Sequence, residues 1–284
     1  MSGRLYANLA GIDVGDGFPV RVIGVINVSP ESFYSGSVAR GRRALQRRAA
    51  QLVEEGADLL DLGAMSTAPY VVDARISEAE EVRRMQLAVQ VVRDVVRVPI
   101  AADTQRSRVA AAALESGARI INDVSGLAYD PDMAAVARQA EGVVLMANER
   151  AASRAAPLPM ITALLRQCLA RARAGHIPSR RIVLDPGLGF FRRAVTPWHV
   201  LDCLVLAHLA QLRRLGRPLL VGASRKSFVG KLIGRTDPDE RLHGSVAAAA
   251  IAVYKGAALI RTHDVRATID AARVAAAIRA HGAE

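Results

Sequence analysis

The sequence predicts a single (β/α)8, or TIM, barrel of the α/β class with a short N-terminal extension, and three observations predict it. The chain has 284 residues, which suits one barrel of roughly 250 residues plus extensions. Short runs rich in Val, Ile and Leu alternate with longer Ala/Arg/Leu helical patterns, eight times over. Each apolar run has the length of a buried parallel strand and closes on small or polar residues.

Residues 1–20 form the extension and 21–284 the barrel. Leu5 to Pro19 contains Gly11, Gly15 and Gly17 and suits a hairpin that plugs the barrel bottom. The predicted strands are Arg21–Asn27, Asp58–Gly63, Pro99–Thr104, Ile120–Ser125, Gly142–Asn148, Arg181–Gly187, Pro218–Ser224 and Ala258–Asp264. The predicted helices are Val38–Glu55, Ser77–Arg97, Arg106–Ser116, Asp132–Gln139, Ile161–Ala174, Pro197–Leu215, Arg241–Val253 and Arg266–Ala280. Strict alternation with parallel-type strands is the pattern of a closed barrel. The competing fold, an open doubly wound sheet, usually has fewer strands and a G-x-G-x-x-G turn after the first when it binds dinucleotides. Here the first strand runs into Asn27-Val28-Ser29-Pro30 instead.

Composition narrows the function classes. Hydrophobic residues make up 51% of the chain, which excludes intrinsic disorder; aromatics are only 4%, so the core must be aliphatic. The net charge of +11 raises nucleic-acid binding as a reading. The distribution opposes it: the basic residues are mostly Arg spread over many helices, with Lys only at 226, 231 and 255. A solvated surface that also attracts an anionic substrate accounts for the excess. Cys168 and Cys203 lie in helical patterns beside Leu, as buried thiols do. The longest apolar tract, Val246 to Ile260, is interrupted by Lys255 and too short to span a bilayer. No apolar leader follows Met1. These features predict a cytosolic protein that binds neither membrane nor nucleic acid.

In such a barrel the active site lies at the C-terminal ends of the strands. The polar residues ending the predicted strands are Asn27, Asp61, Asp103 with Thr104, Asn122 with Asp123, Asn148, Asp185, Ser224 with Arg225 and Lys226, and Arg261 with His263. Asp103, Asn122 and Asp185 suit a flat heterocycle bearing amino and ring N–H groups. Arg261, His263 and Lys226 suit a phosphate or pyrophosphate. Any one of these carboxylates is as readily explained by a structural ion pair; the set, ending strand after strand, favours a binding site. Asp185-Pro186-Gly187-Leu188-Gly189-Phe190 forms a constrained turn in the same region.

With these residues in place, the chain resembles dihydropteroate synthase from about Val22 to its C-terminus. Gly24-Val25-Ile26-Asn27-Val28-Ser29-Pro30-Glu31-Ser32-Phe33 is similar to the family's first loop. Asp58 through Gly63 with Ser66-Thr67, Asp103-Thr104, Ile121-Asn122-Asp123, Leu184-Asp185-Pro186-Gly187, Ser224-Arg225-Lys226-Ser227-Phe228 and Arg261-Thr262-His263-Asp264 follow in family order. The resemblance implies a transferase of folate biosynthesis. It would join a dihydropterin-methyl pyrophosphate to 4-aminobenzoate or a related arylamine and release pyrophosphate. It implies pterin binding by Asp103, Asn122, Asp185 and Lys226, and pyrophosphate binding by Asn27, Arg261 and His263. Mg2+ would be coordinated near Asn27, and Thr67, Phe190 and Ser227 would line the arylamine side. Lys226, Asp103 and Arg261 would carry the catalytic work. Family members are often homodimers, and the Ala-rich last two helices offer a face for one.

Three departures stand out. Phe33 is followed by Tyr34-Ser35-Gly36-Ser37, without the acid of the family's loop. The second loop reads Ser66-Thr67-Ala68-Pro69-Tyr70, without its arginine, and the fifth strand ends Leu145-Met146-Ala147-Asn148 where a histidine is usual. The departures bear on the arylamine and phosphate side more than on the pterin side. Two alternatives to the synthase follow: a non-catalytic pterin-binding paralogue, and a pterin-dependent methyltransferase of the same superfamily. The methyltransferase class would not be expected to keep the Asn27, Lys226 and Arg261–His263 segments together.

Overall fold

The computed structural model describes residues 4–28, 41–65, 76–148 and 154–282. Ten strands and nine α-helices are found among them. β1 (Tyr6–Leu9) and β2 (Ile12–Gly15) form an antiparallel hairpin whose turn residues, Ala10 and Gly11, both have positive φ, 54° and 93°. That is the backbone twist that two-residue hairpin turns require.

Eight parallel strands make the barrel: β3 (Arg21–Asn27), β4 (Leu59–Gly63), β5 (Ile100–Asp103), β6 (Ile120–Asp123), β7 (Gly142–Met146), β8 (Ile182–Asp185), β9 (Leu220–Val221) and β10 (Leu259–Thr262). Their order is β8-β7-β6-β5-β4-β3-β10-β9. The ring closes where Leu184 bridges Leu219 and the Leu184 N–H donates to the Pro218 carbonyl at 3.0 Å.

The outer ring holds α1 (Arg42–Glu54), α2 (Glu78–Arg93), α3 (Ser107–Ser116), α4 (Met133–Ala137), α5 (Pro157–Ala174), α6 (Trp198–Ala207), α7 (Ser227–Ile233), α8 (Leu242–Tyr254) and α9 (Val265–His281). Local signals set several of their ends. Ser77 caps α2 by accepting the Glu80 N–H at 3.2 Å, with Glu78, Glu80 and Glu81 in the first turn, where the helix dipole favours acids. Pro157 starts α5, a position where its missing N–H costs nothing. Gly117, at φ 109°, ends α3.

Two apolar layers hold the fold. One lies between strands and helices; the other fills the barrel bottom, where Ala7, Leu9 and Val14 of the hairpin pack on Ile23, Leu59, Ile120, Val183 and Leu259. A Cβ at Gly142 would stand 2.7 Å from Leu9 Cδ2, so the hairpin's close approach requires glycine there. The plug forces the functional cavity to the opposite end.

The predicted elements match with instructive differences. The seventh barrel strand, expected over Pro218–Ser224, pairs only through Leu220–Val221 and the single bridge at Leu219. Pro218 has no N–H for a ladder. The long helix expected over Pro197–Leu215 breaks at His208 into α6 and a 3-10 turn, Leu209–Leu215. A further helix, α7, begins directly after Lys226, between the helices expected over Pro197–Leu215 and Arg241–Val253. Residues 38–40 of the first predicted helix lie outside the described residues.

Candidate active site at the strand tips

Period-two alternation sorts the strand-end residues into two sets. On β5, Asp103 faces the barrel axis while Thr104 turns outward and donates to Glu81 Oε1 at 2.8 Å. After Ile121, Asn122 reaches inward and Asp123 outward, where its carboxylate accepts the N–H groups of Ser125 and Leu127, both at 2.7 Å. On β10, Arg261 faces inward; Thr262 bonds Thr268 at 2.9 Å, and Asp264 pairs with buried Arg225 at 2.7 Å. Arg225 also donates to the Pro238 and Asp239 carbonyls, which makes it a clasp for the loop before α8.

The inward set meets on Arg261. Its Nε donates to Asp61 Oδ2 at 2.5 Å and its Nη2 to Asp103 Oδ2 at 2.8 Å. Asn122 Nδ2 donates to the same Asp61 Oδ2 at 2.9 Å. A Cβ at Gly63 would lie 3.1 Å from Asn27 Oδ1 and 3.9 Å from Asp103 Oδ2, so Asn27 stands beside this network at the end of β3. Two carboxylates thus share one guanidinium. Their other oxygens, Asp61 Oδ1 and Asp103 Oδ1, are buried and have no hydrogen-bond partner among the described residues. A buried acceptor left in that state is costly unless a ligand supplies a donor.

The opposite wall comes from β8 and the segment after β9. Asp185 Oδ1 accepts the Gly187 N–H at 2.7 Å, an Asx turn that aims the carboxyl group into the mouth. Gly187 has φ 77°, and a Cβ there would meet the Ala147 carbonyl at 2.2 Å, so this turn needs glycine. Lys226 donates to the Leu188 carbonyl, and its ammonium sits 5.0 Å from the centre of the Phe190 ring. Ser227 accepts from Arg192 Nη2 at 2.5 Å, and Arg192 in turn stacks over Trp198 at 4.0 Å. Phe190, Ser227, Arg192 and Trp198 therefore share one side of the mouth.

Burial dominates the titration behaviour. It pushes the Asp103 carboxyl up to about 7; Arg261 pulls it down and Asp61 pushes it further up. Asp185 is likewise raised by burial, against the pull of Lys226. Burial lowers the Lys226 ammonium to about 8, despite Asp185 and Asp202. For Arg261 burial acts downward but Asp61 and Asp103 outweigh it, and the guanidinium stays charged. His263 lies well below an ordinary imidazole through burial and the nearby Arg261 and Arg225 charges, so it is neutral at pH 7. Ser224 Oγ accepts the His263 backbone N–H at 3.1 Å and lies 3.0 Å from Nδ1. Ser224 thus fixes the orientation of the imidazole ring through both contacts.

Most of the residues singled out in the sequence are thus brought to one end of the barrel: Asn27, Asp103, Asn122, Asp185, Lys226, Arg261, His263, Phe190 and Ser227. Thr67, with Ser35 and Ala68, lies outside the described residues. Two relationships were not legible. Arg261, expected on the phosphate side alone, is tied to the carboxylates of the heterocycle side. Asp61 was noted only as a strand ending, yet it is the shared acceptor that orients both Arg261 and Asn122. A carboxylate in the middle of β4, two residues before the Gly63 that pairs with Asp103 and so on the same face of the sheet, was the available signal.

Comparison with known proteins agrees with this geometry. The family described as pterin binding enzyme matches residues 23–263. The dihydropteroate synthase of Neisseria meningitidis serogroup C is 39% identical over 267 residues, covering 88% of this chain and 90% of that protein. The Xanthomonas albilineans dihydropteroate synthase with 4-aminobenzoic acid superposes with a TM-score of 0.85 at 35% identity, covering 98% of this chain and 99% of that one. The same enzyme in complex with 7,8-dihydropteroate gives 0.81 at 33% identity, covering 97% and 98%. The match runs through every strand tip described above, and the chain belongs to the dihydropteroate synthase family of pterin-binding enzymes.

Proposed function

We propose that this protein is an active dihydropteroate synthase: it condenses a dihydropterin-methyl pyrophosphate with 4-aminobenzoate or a related arylamine and releases pyrophosphate. The observation that carries the reading is the pair of buried, unpartnered oxygens on Asp61 and Asp103, facing the same mouth as Asp185 and Asn122. An amino-pterin edge is flat and rich in N–H donors, and it satisfies such acceptors. The named ligands of the Xanthomonas albilineans structures, 4-aminobenzoic acid and 7,8-dihydropteroate, support the same substrate pair here.

The chemistry follows from charge. The methylene C–O bond breaks, and pyrophosphate departs with the electron pair. The pterin ring shares the positive charge left on the methylene carbon, and the amine nitrogen attacks that carbon and loses a proton. Asp103 and Asp185 favour the cationic ring, with Asn122 and Lys226 on the pterin edge; Arg261 and neutral His263, with Asn27, hold the departing anion. Arg261 serves both tasks, with Nε and Nη2 on the carboxylates and Nη1 directed elsewhere. Phe190 and Ser227, which share one side of the mouth, form the arylamine side.

Asn27 offers a neutral side-chain oxygen beside Asp103, which fits a Mg2+ shared with the substrate's phosphates. Among the described residues no three His, Cys, Asp or Glu side chains group as a stand-alone metal site. When bound the ion would add positive charge beside the departing anion. No helix among the described residues is long and apolar enough to cross a membrane, in keeping with a cytoplasmic enzyme. A homodimer would use the apolar groove of Cys203, Leu206, Phe228, Leu232, Ile233 and Ile251 between α6, α7 and α8.

The deciding experiment mixes the protein with dihydropterin-methyl pyrophosphate, Mg2+ and 4-aminobenzoate and follows pyrophosphate release. Turnover supports the synthase. Tight pterin binding without release identifies a binding paralogue instead, and turnover only with substituted arylamines reassigns the acceptor.

A further inference from the structure

Asp202 lies on α6, outside every motif discussed above, and is buried. Its Oδ1 accepts the Gly189 N–H at 2.8 Å, and its Oδ2 is buried without a partner among the described residues. On the other side of the same loop, Lys226 donates to the carbonyl of Leu188. The Leu188 C=O and the Gly189 N–H belong to one peptide group, and in a trans peptide they point in opposite directions. One planar amide therefore stands between a buried ammonium and a buried carboxylate, each bonded to the complementary end of its dipole.

We propose that Asp202 is a positioning residue for Lys226, acting through the Leu188–Gly189 peptide group. The carboxylate orients the amide so that its carbonyl faces the lysine, and it polarises the amide in the direction that strengthens that acceptor. The arrangement is geometrically tight: Gly189 has φ 81°, and a Cβ there would lie 3.2 Å from Lys226 Cδ. A side chain at 189 would push the lysine stem off its track. The unpartnered Oδ2 keeps a negative charge close behind the loop in a region that water does not screen.

The consequence is that Lys226 stays protonated where burial alone would discharge it. The charged groups facing Lys226 are Asp185 at the tip of β8, Asp202 on α6, Arg261 on β10 and Arg192 in the loop between β8 and α6. His263, on the β10 side, is neutral. Two acids and two guanidiniums thus oppose each other, and removal of one acid tips the balance against the ammonium. Asp202 itself is raised by burial to about 6, so it is ionised at neutral pH.

The inference rests on Lys226 belonging to the substrate site, but its test does not need activity. The sequence has only three lysines, at 226, 231 and 255, so a protein labelled on the lysine side chains gives three separable titrating NMR signals. The signal lost in Lys226→Arg assigns residue 226. In Asp202→Asn, which keeps an acceptor for Gly189 but no charge, the Lys226 midpoint is expected to fall by about one pH unit, and Asp202→Glu is expected to restore it. The basic limb of kcat/KM should move by the same amount. An unchanged Lys226 midpoint in folded Asp202→Asn overturns the proposal. Asp202→Ser, small and still an acceptor, is read in its place where the asparagine variant does not fold. A lysine shift in a protein without turnover would uphold the peptide coupling while refuting the synthase reading.

Discussion

Replacing Arg261 with Met keeps most of the side-chain length and removes the one guanidinium that Asp61 and Asp103 share at 2.5 and 2.8 Å. The consequence for stability depends on pH in a definite way. Asp103 is raised in the fold from 3.8 to about 7, chiefly by burial. Between those values the folded state holds a proton that the unfolded state has lost, so stability falls as pH rises and levels off above about 7. Arg261 is what keeps the folded value from going higher. An opposite charge at this range is worth about 1–3 pH units, so in Arg261→Met the falling limb should extend to about pH 8 or beyond. One proton corresponds to about 1.4 kcal/mol per pH unit, and Asp103 is already half-titrated near 7 in the parent. The stability gap between variant and parent should therefore widen by about 1 kcal/mol between pH 7 and 8. Urea unfolding at pH 6, 7 and 8 measures this directly. The second variant, Arg261→Met with Asp103→Asn, should lose the widening, because the titrating group is gone. Parallel curves for parent and single variant, or a widening that survives in the double variant, would refute the claim that Arg261 governs Asp103.

Three other outcomes follow from the same geometry. Asp185→Ala removes the carboxyl group fixed by the Gly187 N–H and should abolish pterin binding; unchanged affinity by calorimetry would reject the assigned pocket. Leu9→Ala opens the plug at the barrel bottom, where Leu9 is fully buried, and should cost about 2–5 kcal/mol in urea unfolding with little effect on pterin affinity. Ile251→Arg places a charge on the half-exposed rim of the groove between α6 and α8; if that groove is a dimer face, sedimentation should report a monomer.

The fold was legible because each βα unit repeats the same message. A run such as Leu59–Gly63, buried throughout, must lie between two apolar layers, and in this chain such runs alternate with helices. What local patterning could not show was where closure weakens. Leu220–Val221 is a two-residue strand, and the bridge between Leu184 and Leu219 joins that side of the ring to β8. In the site, the inward residues were legible from their position at strand tips, and alternation separated Arg261 and His263 from Thr262 and Asp264. The partners were not. That Asp61 serves Asn122 and Arg261 at once depends on side chains 61 and 200 residues apart in sequence, and nothing local encodes it. Asp202 is less visible still: on α6 it reads as a polar interruption between Leu201 and Cys203, and only the fold sets it behind Gly189.

The charge count at the mouth explains why this arrangement suits the proposed chemistry better than a stable ion-pair cluster would. Asp61, Asp103 and Asp185 face two cations, Arg261 and Lys226, while His263 is neutral. Three buried acids against two bases leave the heterocycle side short of positive charge and of donors, and burial responds by raising Asp103 and Asp185. A ring that becomes cationic as pyrophosphate departs supplies what is missing, so the site stabilises the reacting state more than the resting substrate. Arg261 is tied to two of these carboxylates through Nε and Nη2, and Lys226 is held by the Leu188 carbonyl on the opposite wall. If Arg261 paired with a single carboxylate and Lys226 with another, each charge would be satisfied before the substrate arrived, and neither half of the developing ion pair would gain from the protein. Sharing one guanidinium between two acids, and holding the ammonium against a peptide carbonyl, keeps both charges available for the reaction.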